Sequence, residues 1–311
     1  MNLKEEIKKK LPQGVIKNYR TFQTLVDYME FDHTKKYVNL KNVKFLSDKE
    51  TVDMIINQQV SVARFGDGEF EWIFGEGRQA FQQQSIELQN DLISTLNIND
   101  AKLLIGIPRG IIGIKENNMQ AKLYWNMVNR KYAQKLCDNH HILTRTFCDA
   151  SITRPYIDYC SWEDSEKRFA NLKRIWNGRK ILIVEGTGTK IGVNNDLLQN
   201  SARIRRILCP PKDAYSKIEL IENSIRMNVD DDELVLVALG PTATIIAGNL
   251  YREGIQIIDI GHIDVEYIWF LRKDKYRTPI IGKSVNESGS IYFDDGYIDE
   301  KYKASIIETI E

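Results

Sequence analysis

From residue 58 onward, short apolar runs alternate with amphipathic stretches along the chain. The runs "VSVARF", "KLLIGIP", "KILIVEG", "RIRRILCP", "ELVLVALG" and "IQIIDIG" are rich in β-branched residues and closed by glycine, proline or charge, a pattern that predicts strands. Between them lie "IELQNDLISTL", "QAKLYWNMVNRKYAQKL", "EDSEKRFANLKRIW", "NNDLLQN", "DAYSKIELIENSI" and "ATIIAGNLYR", whose apolar spacing predicts helices. Strands separated by helices need crossover connections. The expected fold is therefore α/β, a Rossmann-like, mainly parallel sheet with helices on both faces. Residues 1–57 are polar and periodic, with Asp48 placed to cap "DKETVDMII", and read as an N-terminal helical extension. Residues 286–311 turn polar again and read as a C-terminal appendage, which leaves 58–285 as the central domain.

The composition narrows the partners. With 311 residues, 42% hydrophobic and 28% charged, the chain falls among ordinary globular proteins. Its 43 basic and 43 acidic residues cancel, which removes the bulk attraction that nucleic-acid binders use, so an anionic ligand must be held locally. No apolar run reaches the ~20 residues of a spanning helix. Lys4, Lys8, Lys9 and Lys10 in the opening "MNLKEEIKKKLPQG" read as a solvated helix face, and they leave peripheral membrane contact open. Cys137, Cys148, Cys160 and Cys209 form no C-x-x-C pair and the start resembles no signal peptide, so the expected compartment is the reducing cytoplasm. Nothing in the pattern sets an oligomeric state.

In doubly wound sheets ligands sit beyond the strand C-termini, which directs attention to the residues after each predicted strand. "GDGE" places Asp67 and Glu69 two positions apart on a glycine-flanked turn, where both carboxylates can meet one hard cation, with Arg64 beside them as a phosphate contact. "IIDIGHIDVEY" gathers Asp259, His262, Asp264 and Glu266; His262 and Glu266 share a face whether the segment is extended or helical. "VEGTGTKIG" offers a glycine-rich anion cradle through Gly186, Gly188 and Gly192, with Glu185 able to accept a hydroxyl. Arg205 and Arg206 stand where a dinucleotide fingerprint carries its acidic residue, which weighs against NAD but admits NADP. In "ALGPTAT", Gly240 and Pro241 end a strand and Thr242 opens a helix whose N–H groups face the crevice. Arg109 and Arg154 are further phosphate or acceptor contacts. "DDDE" at 230–233 reads as a solvated turn, Arg203 and Arg205 as a solvated edge, and Tyr124, Trp125, Trp162 and Trp176 as core.

Taken in order, "RFGDGEF", "IVEGTGTKIGVNNDLL", "RRILCPPKDAY", "LVLVALGPTAT" and "IIDIGHIDVEYIWF" resemble the GT-D type glycosyltransferases of bacterial glycoconjugate clusters, across residues 58–285. The resemblance implies a Rossmann-like fold and a D-x-E site for Mn²⁺ or Mg²⁺, which falls on Asp67 and Glu69. It also implies inverting transfer from a UDP-sugar to a glycan or glycoprotein acceptor, with the family's later acidic signature on His262, Asp264 and Glu266. On that view Arg64, Glu185, Gly186, Gly188, Arg206, Gly240, Pro241 and Thr242 contact nucleotide and phosphates. Glu266, or after it Asp264, takes the acceptor's proton, with His262 orienting the base or touching the diphosphate. Two other readings stand beside it: a Rossmann enzyme using S-adenosylmethionine or NADP, which leaves "GDGE" without a role, and a non-catalytic nucleotide-binding module.

Overall fold

A computed structural model describes residues 40–77, 81–112, 116–138, 144–284 and 300–311. Most of the expected N-terminal extension, and residues 286–299 of the expected appendage, lie outside this set. The chain divides into two compact units. In one, formed by 1–43 and 110–145, the longest described element is a helix, Met119–Cys137, opened by the Asn118 side chain accepting from the Ala121 amide. Its Asn129 donates to the Ile111 carbonyl at 3.1 Å.

The other unit, 44–109 and 146–311, carries the sheet. Its elements in chain order are β1 (Lys44–Phe45), α1 (Asp48–Asn57), β2 (Ser61–Arg64), α2 (Asp67–Ile73), α3 (Ile86–Asn97), β3 (Leu103–Ile107), β4 (Thr146–Asp149), α4 (Trp162–Lys173), β5 (Lys180–Gly186), β6 (Arg203–Cys209), α5 (Ile218–Asn228), β7 (Leu234–Ala238), α6 (Pro241–Leu250), β8 (Ile257–Asp259), α7 (Ile263–Arg272), α8 (Glu300–Ser305) and β9 (Ile306–Thr309). The strands run in the order β1-β4-β3-β2-β8-β7-β5-β6-β9, and every pairing is parallel. The expected parallel α/β sheet is thus what forms. Strands β5 and β7 are buried along nearly their whole length, as strands covered on both faces must be. On one face Trp176, Phe169, Tyr267 and Phe270 pack against Ile181, Ile183, Leu236 and Ile258. Among the described residues no helix is long and apolar enough to cross a membrane.

Several local expectations are corrected. Ser47, not Asp48, caps α1: its hydroxyl accepts from the Glu50 amide while Glu50 reaches back to the Ser47 amide, a reciprocal pair the shorter Asp48 side chain inside the helix cannot make. The "NNDLLQN" stretch is a series of turns rather than a helix, since Gly192 (φ +73°) and Asn194 (φ +60°) take left-handed backbone conformations. Strands β1, β4 and β9 went unforeseen because two to four residues carry no readable period. Strand β9 extends the sheet beyond β6, with Arg206 opposite Ile306. The 230–233 turn and its arginines are not simply solvated, because Glu233 is buried and ion-paired to Arg205.

Candidate functional site

Strands β1–β4 meet strands β5–β9 where β2 pairs with β8, and the acidic motifs gather at the C-terminal ends of these two strands. Arg64 closes β2 and turns its guanidinium inward. Nη2 lies 2.7 Å from Asp259 Oδ1, Nε donates to the Asp259 carbonyl at 2.7 Å, and Nη1 donates to the Ala150 carbonyl at 2.8 Å. This expected phosphate contact therefore holds the strand ends together. Gly261 permits the arrangement: a Cβ there would lie 2.0 Å from Arg64 Nη2, and its φ is +46°. Thr244 adds to the knot by donating to the Arg64 carbonyl at 2.7 Å.

"GDGE" is not a flexible turn but the first turn of α2. Gly66 is the N-cap, Asp67 the first helical residue, and Glu69 folds back to accept from the Gly66 amide at 2.7 Å. The Glu69 carboxylate sits close enough to those of Asp259 and Asp67 to feel their charges. Desolvation at this crowded turn, then Asp259 and finally Asp67, lift Glu69 to about 7. At the end of β4, Asp149 accepts from the amides of Arg109 (3.0 Å) and Ser151 (2.9 Å), and burial lifts it to about 6. Asp149 carries no motif, and its place beside β3 is set only by strand pairing.

At the end of β7, Gly240 (φ +58°) caps α6 and Pro241 occupies its first turn, where no N–H is missed. The Thr242 hydroxyl is fully buried and finds no hydrogen-bond partner among the described residues. Phe81 lies across Gly240, its ring 2.4 Å from where a Cβ would be. Sequence reasoning missed Phe81, which reaches this strand end from a loop some 160 positions away.

Glu185 and Arg206, both expected at the ligand, form an internal pair at 2.5 Å with 0% and 4% of their side chains exposed. Burial raises the Glu185 carboxyl and Arg206 pulls it back. With Arg206 engaged by Glu185 and Arg205 by Glu233, neither arginine is placed for a 2′-phosphate. Segment 261–266 turns helical. Glu266 is fully buried, accepts from the amides of Tyr156 (3.2 Å) and Ile157 (2.9 Å), and lies 3.7 Å from Arg154. Asp264 accepts from the Gly192 amide and Asn195 Nδ2, each at 2.8 Å, and pairs with the buried Lys283 at 2.5 Å. Because these two carboxylates are two residues apart on a helix, they address different loops. His262 precedes α7, and its carbonyl accepts from the Glu266 amide at 3.1 Å. Lys283 was not foreseen, having no local pattern around it.

A family model described as glycosyltransferase GT-D fold matches residues 62–288. A probable glycosyl transferase Gly of Streptococcus gordonii is 32% identical over 272 residues, covering 87% of this chain and 39% of that protein. Glycosyltransferase GlyD of Streptococcus pneumoniae serotype 4 is 31% identical over 290 residues, covering 90% of this chain and 34% of that protein. The chain thus spans only a third to two fifths of these relatives' length. A solved structure described as the highly conserved domain of unknown function 1792, with a distinct glycosyltransferase fold, superposes with a TM-score of 0.81 at 31% identity, covering 89% of this chain and 100% of that one. A second, described as a new glycosyltransferase from Streptococcus sanguinis, gives 0.79 at 32% identity, covering 86% and 100%.

Proposed function

We propose, from the premise that this chain belongs to the glycosyltransferase GT-D fold family, that it transfers a sugar from a UDP-sugar to a glycan or glycoprotein acceptor, with inversion, in bacterial surface glycoconjugate synthesis. The observation that carries the reading is the gathering of Asp67, Glu69 and Asp259 where β2 and β8 end, where burial first and then its acidic neighbours lift the Glu69 carboxyl to about 7. Like charges crowded at a strand-end crevice are what a divalent cation relieves.

The residues fit such an ion. Asp67 and Glu69 are hard oxygen donors, but two positions apart on a helix they diverge, so one of them would hold Mg²⁺ or Mn²⁺ directly, and such sites take one or two carboxylates and fill the rest with phosphate and water. Among the described residues no group of three His, Cys, Asp or Glu is placed to hold a metal ion. When bound, the ion would neutralise the charge that develops on the departing diphosphate.

The protein's own groups do the rest. The first amides of α6 and the Thr242 hydroxyl bind phosphate oxygens, and Gly186 and Gly188 let the donor approach the backbone. An inverting transfer needs a base on the far side of the sugar. Glu266 is the first of the two expected bases; its Oε2 carries the 156–157 amides and its Oε1 faces Arg154 at 3.7 Å, while both oxygens of Asp264 are engaged. His262, at the head of the same helix, orients that base or meets the diphosphate. The reading puts the reaction in the cytoplasm, the compartment expected from the cysteine pattern of the sequence.

The test is incubation with a panel of UDP-sugars, with and without Mn²⁺, and detection of released UDP. Release that requires the cation and disappears in Glu69→Ala supports the reading. Stabilisation by NADP or S-adenosylmethionine, with none by UDP, overturns it, and UDP binding without any turnover points to a non-catalytic module.

A further inference from the structure

The segment that leads into α3 brings Phe81 to the C-terminal end of β7, where its half-buried ring stands beside Gly240, the exposed N-cap of α6. The contact is edge-on. A Cβ on Gly240 would lie 2.4 Å from Cε1 of the ring and 3.2 and 3.3 Å from the two carbons bonded to it, Cζ and Cδ1. Over a face, those neighbours would be nearly as close as Cε1 itself. Neither face of the ring is therefore taken up by the helix, and only a glycine lets the edge come this near.

Asp213, in the turn after β6, holds the ring there. Its amide donates to the Phe81 carbonyl at 2.9 Å, and its Oδ1 accepts from the Gln82 side-chain amide and from the Gln83 backbone amide at 3.3 Å. The Tyr215 amide donates to Gln82 Oε1 at 3.2 Å, and the Tyr215 hydroxyl donates to Asp91 on α3 at 2.7 Å. Gln82 is buried, and Asp213 takes a left-handed conformation (φ +53°) that is unfavourable for any residue with a side chain. A lone apolar side chain at a surface needs no such support. Here a strained aspartate, a buried glutamine and a bare glycine together fix one half-buried aromatic ring at an open helix N-terminus. Two residues into that helix is the buried Thr242 hydroxyl, which has no hydrogen-bond partner among the described residues.

We infer that Phe81 is the platform for the base of the nucleotide donor: a nucleoside diphosphate whose phosphates meet the N-terminus of α6 lays its planar base on a face of this ring, and Asp213 is the residue that positions it. This rests on the glycosyltransferase reading above and names the side chain that meets the base. Every base has a π-face and phenylalanine has no hydrogen-bonding group, so the contact grips a nucleotide without choosing among bases. The base takes no part in the bond changes at the sugar. Loss of the contact therefore weakens ground and transition state alike.

Calorimetric binding of UDP and of inorganic pyrophosphate to the full chain, each with Mn²⁺, tests this. Phe81→Leu, apolar but not planar, should raise the UDP Kd and the donor KM about tenfold, leave kcat unchanged, and leave pyrophosphate, which has no base, bound as in the wild type. Phe81→Tyr should restore the UDP affinity. Asp213→Ala should show the same split between UDP and pyrophosphate, whereas Asp213→Asn, which keeps an acceptor oxygen and tolerates the left-handed conformation, should bind UDP as the wild type does. In the wild type the uracil H5 and H6 protons should give nuclear Overhauser contacts to a phenylalanine ring, and these should vanish in Phe81→Leu. A folded Phe81→Leu protein with wild-type UDP affinity overturns the inference and leaves the transferase reading standing. An equal loss for UDP and pyrophosphate also overturns it, since the ring would then only support α6. Failure of the wild type to bind UDP withdraws both.

Discussion

Arg64 and Asp259 clasp one another across the junction of β2 and β8, with Nη2 2.7 Å from Oδ1 and Nε 2.7 Å from the Asp259 carbonyl, although 195 positions separate them in the chain. The two acidic motifs stand on either side of this clasp, one on α2 and one on α7. Their relation in space is therefore set by an arginine that grips Asp259 at the head of the second motif.

Removing Arg64 should cost more than its hydrogen bonds. Arg64→Ala leaves the enclosed Asp259 carboxylate without its partner, and breaking a buried pair on one side costs about 3–5 kcal/mol. Asp259→Asn, which retains an acceptor oxygen, should cost less. Urea denaturation of both variants checks the ordering, and equal midpoints for Arg64→Ala and wild type would remove the clasp from the account.

Glu69 makes cation binding depend on pH. Its carboxyl is lifted to about 7, so a proton must leave before the oxygens can serve a cation. Mn²⁺ affinity measured by calorimetry should rise between pH 6 and pH 8, with proton release on binding at the lower pH. In Glu69→Gln both the affinity and its pH slope should vanish. The same shift bears on the free protein with opposite consequence: a carboxyl raised in the fold favours the folded state below its ordinary value near 4.5, and that contribution is lost as pH rises through about 7.

Asp149 gives a cleaner stability signal, being buried and outside the proposed ligand set. Its carboxyl is raised from 3.8 to about 6, so its favourable contribution is complete below 3.8 and disappears as pH climbs past 6. Asp149→Asn keeps an oxygen for the Arg109 and Ser151 amides while removing the ionisation. The variant should match wild type near pH 4 and exceed it by up to about 3 kcal/mol at pH 8. Unfolding curves at the two pH values decide the matter, and a constant difference would contradict it.

Thr242→Val separates stability from binding. Replacing a buried hydroxyl that has no partner by a methyl of the same shape is neutral or stabilising. If that hydroxyl serves a phosphate oxygen, the variant should melt at or above the wild-type temperature without ligand and show a smaller shift with UDP and Mn²⁺. Equal UDP shifts would take Thr242 out of the phosphate site.

Glu266→Gln tests the base. The amide oxygen of glutamine can still receive the Tyr156 and Ile157 amides, so the fold and UDP affinity should persist while sugar transfer to acceptor falls at least a hundredfold. Transfer at the wild-type rate would move the base elsewhere.

The parallel α/β class was readable in the sequence because buried strands must be apolar over several consecutive residues and crossover helices must be amphipathic, properties each segment carries on its own. The strand-end motifs "GDGE", "GPTAT" and "GHIDVEY" were readable for a related reason: glycine and proline break regular structure locally, and the polar residues beside them then lie at strand C-termini. What each polar side chain does there was decided by tertiary structure. Arg64, Glu185 and Arg206 looked like ligand contacts, yet pairing brought each an internal partner that no neighbouring residue announced. Phe81, Asp149 and Lys283 carry no local signal, and each reaches its place only through a loop or strand that the sheet positions from elsewhere in the chain. Local pattern determines which segments regularise, since that depends on neighbours three or four positions apart. Which charges meet depends on strand order, and strand order is a property of the folded chain.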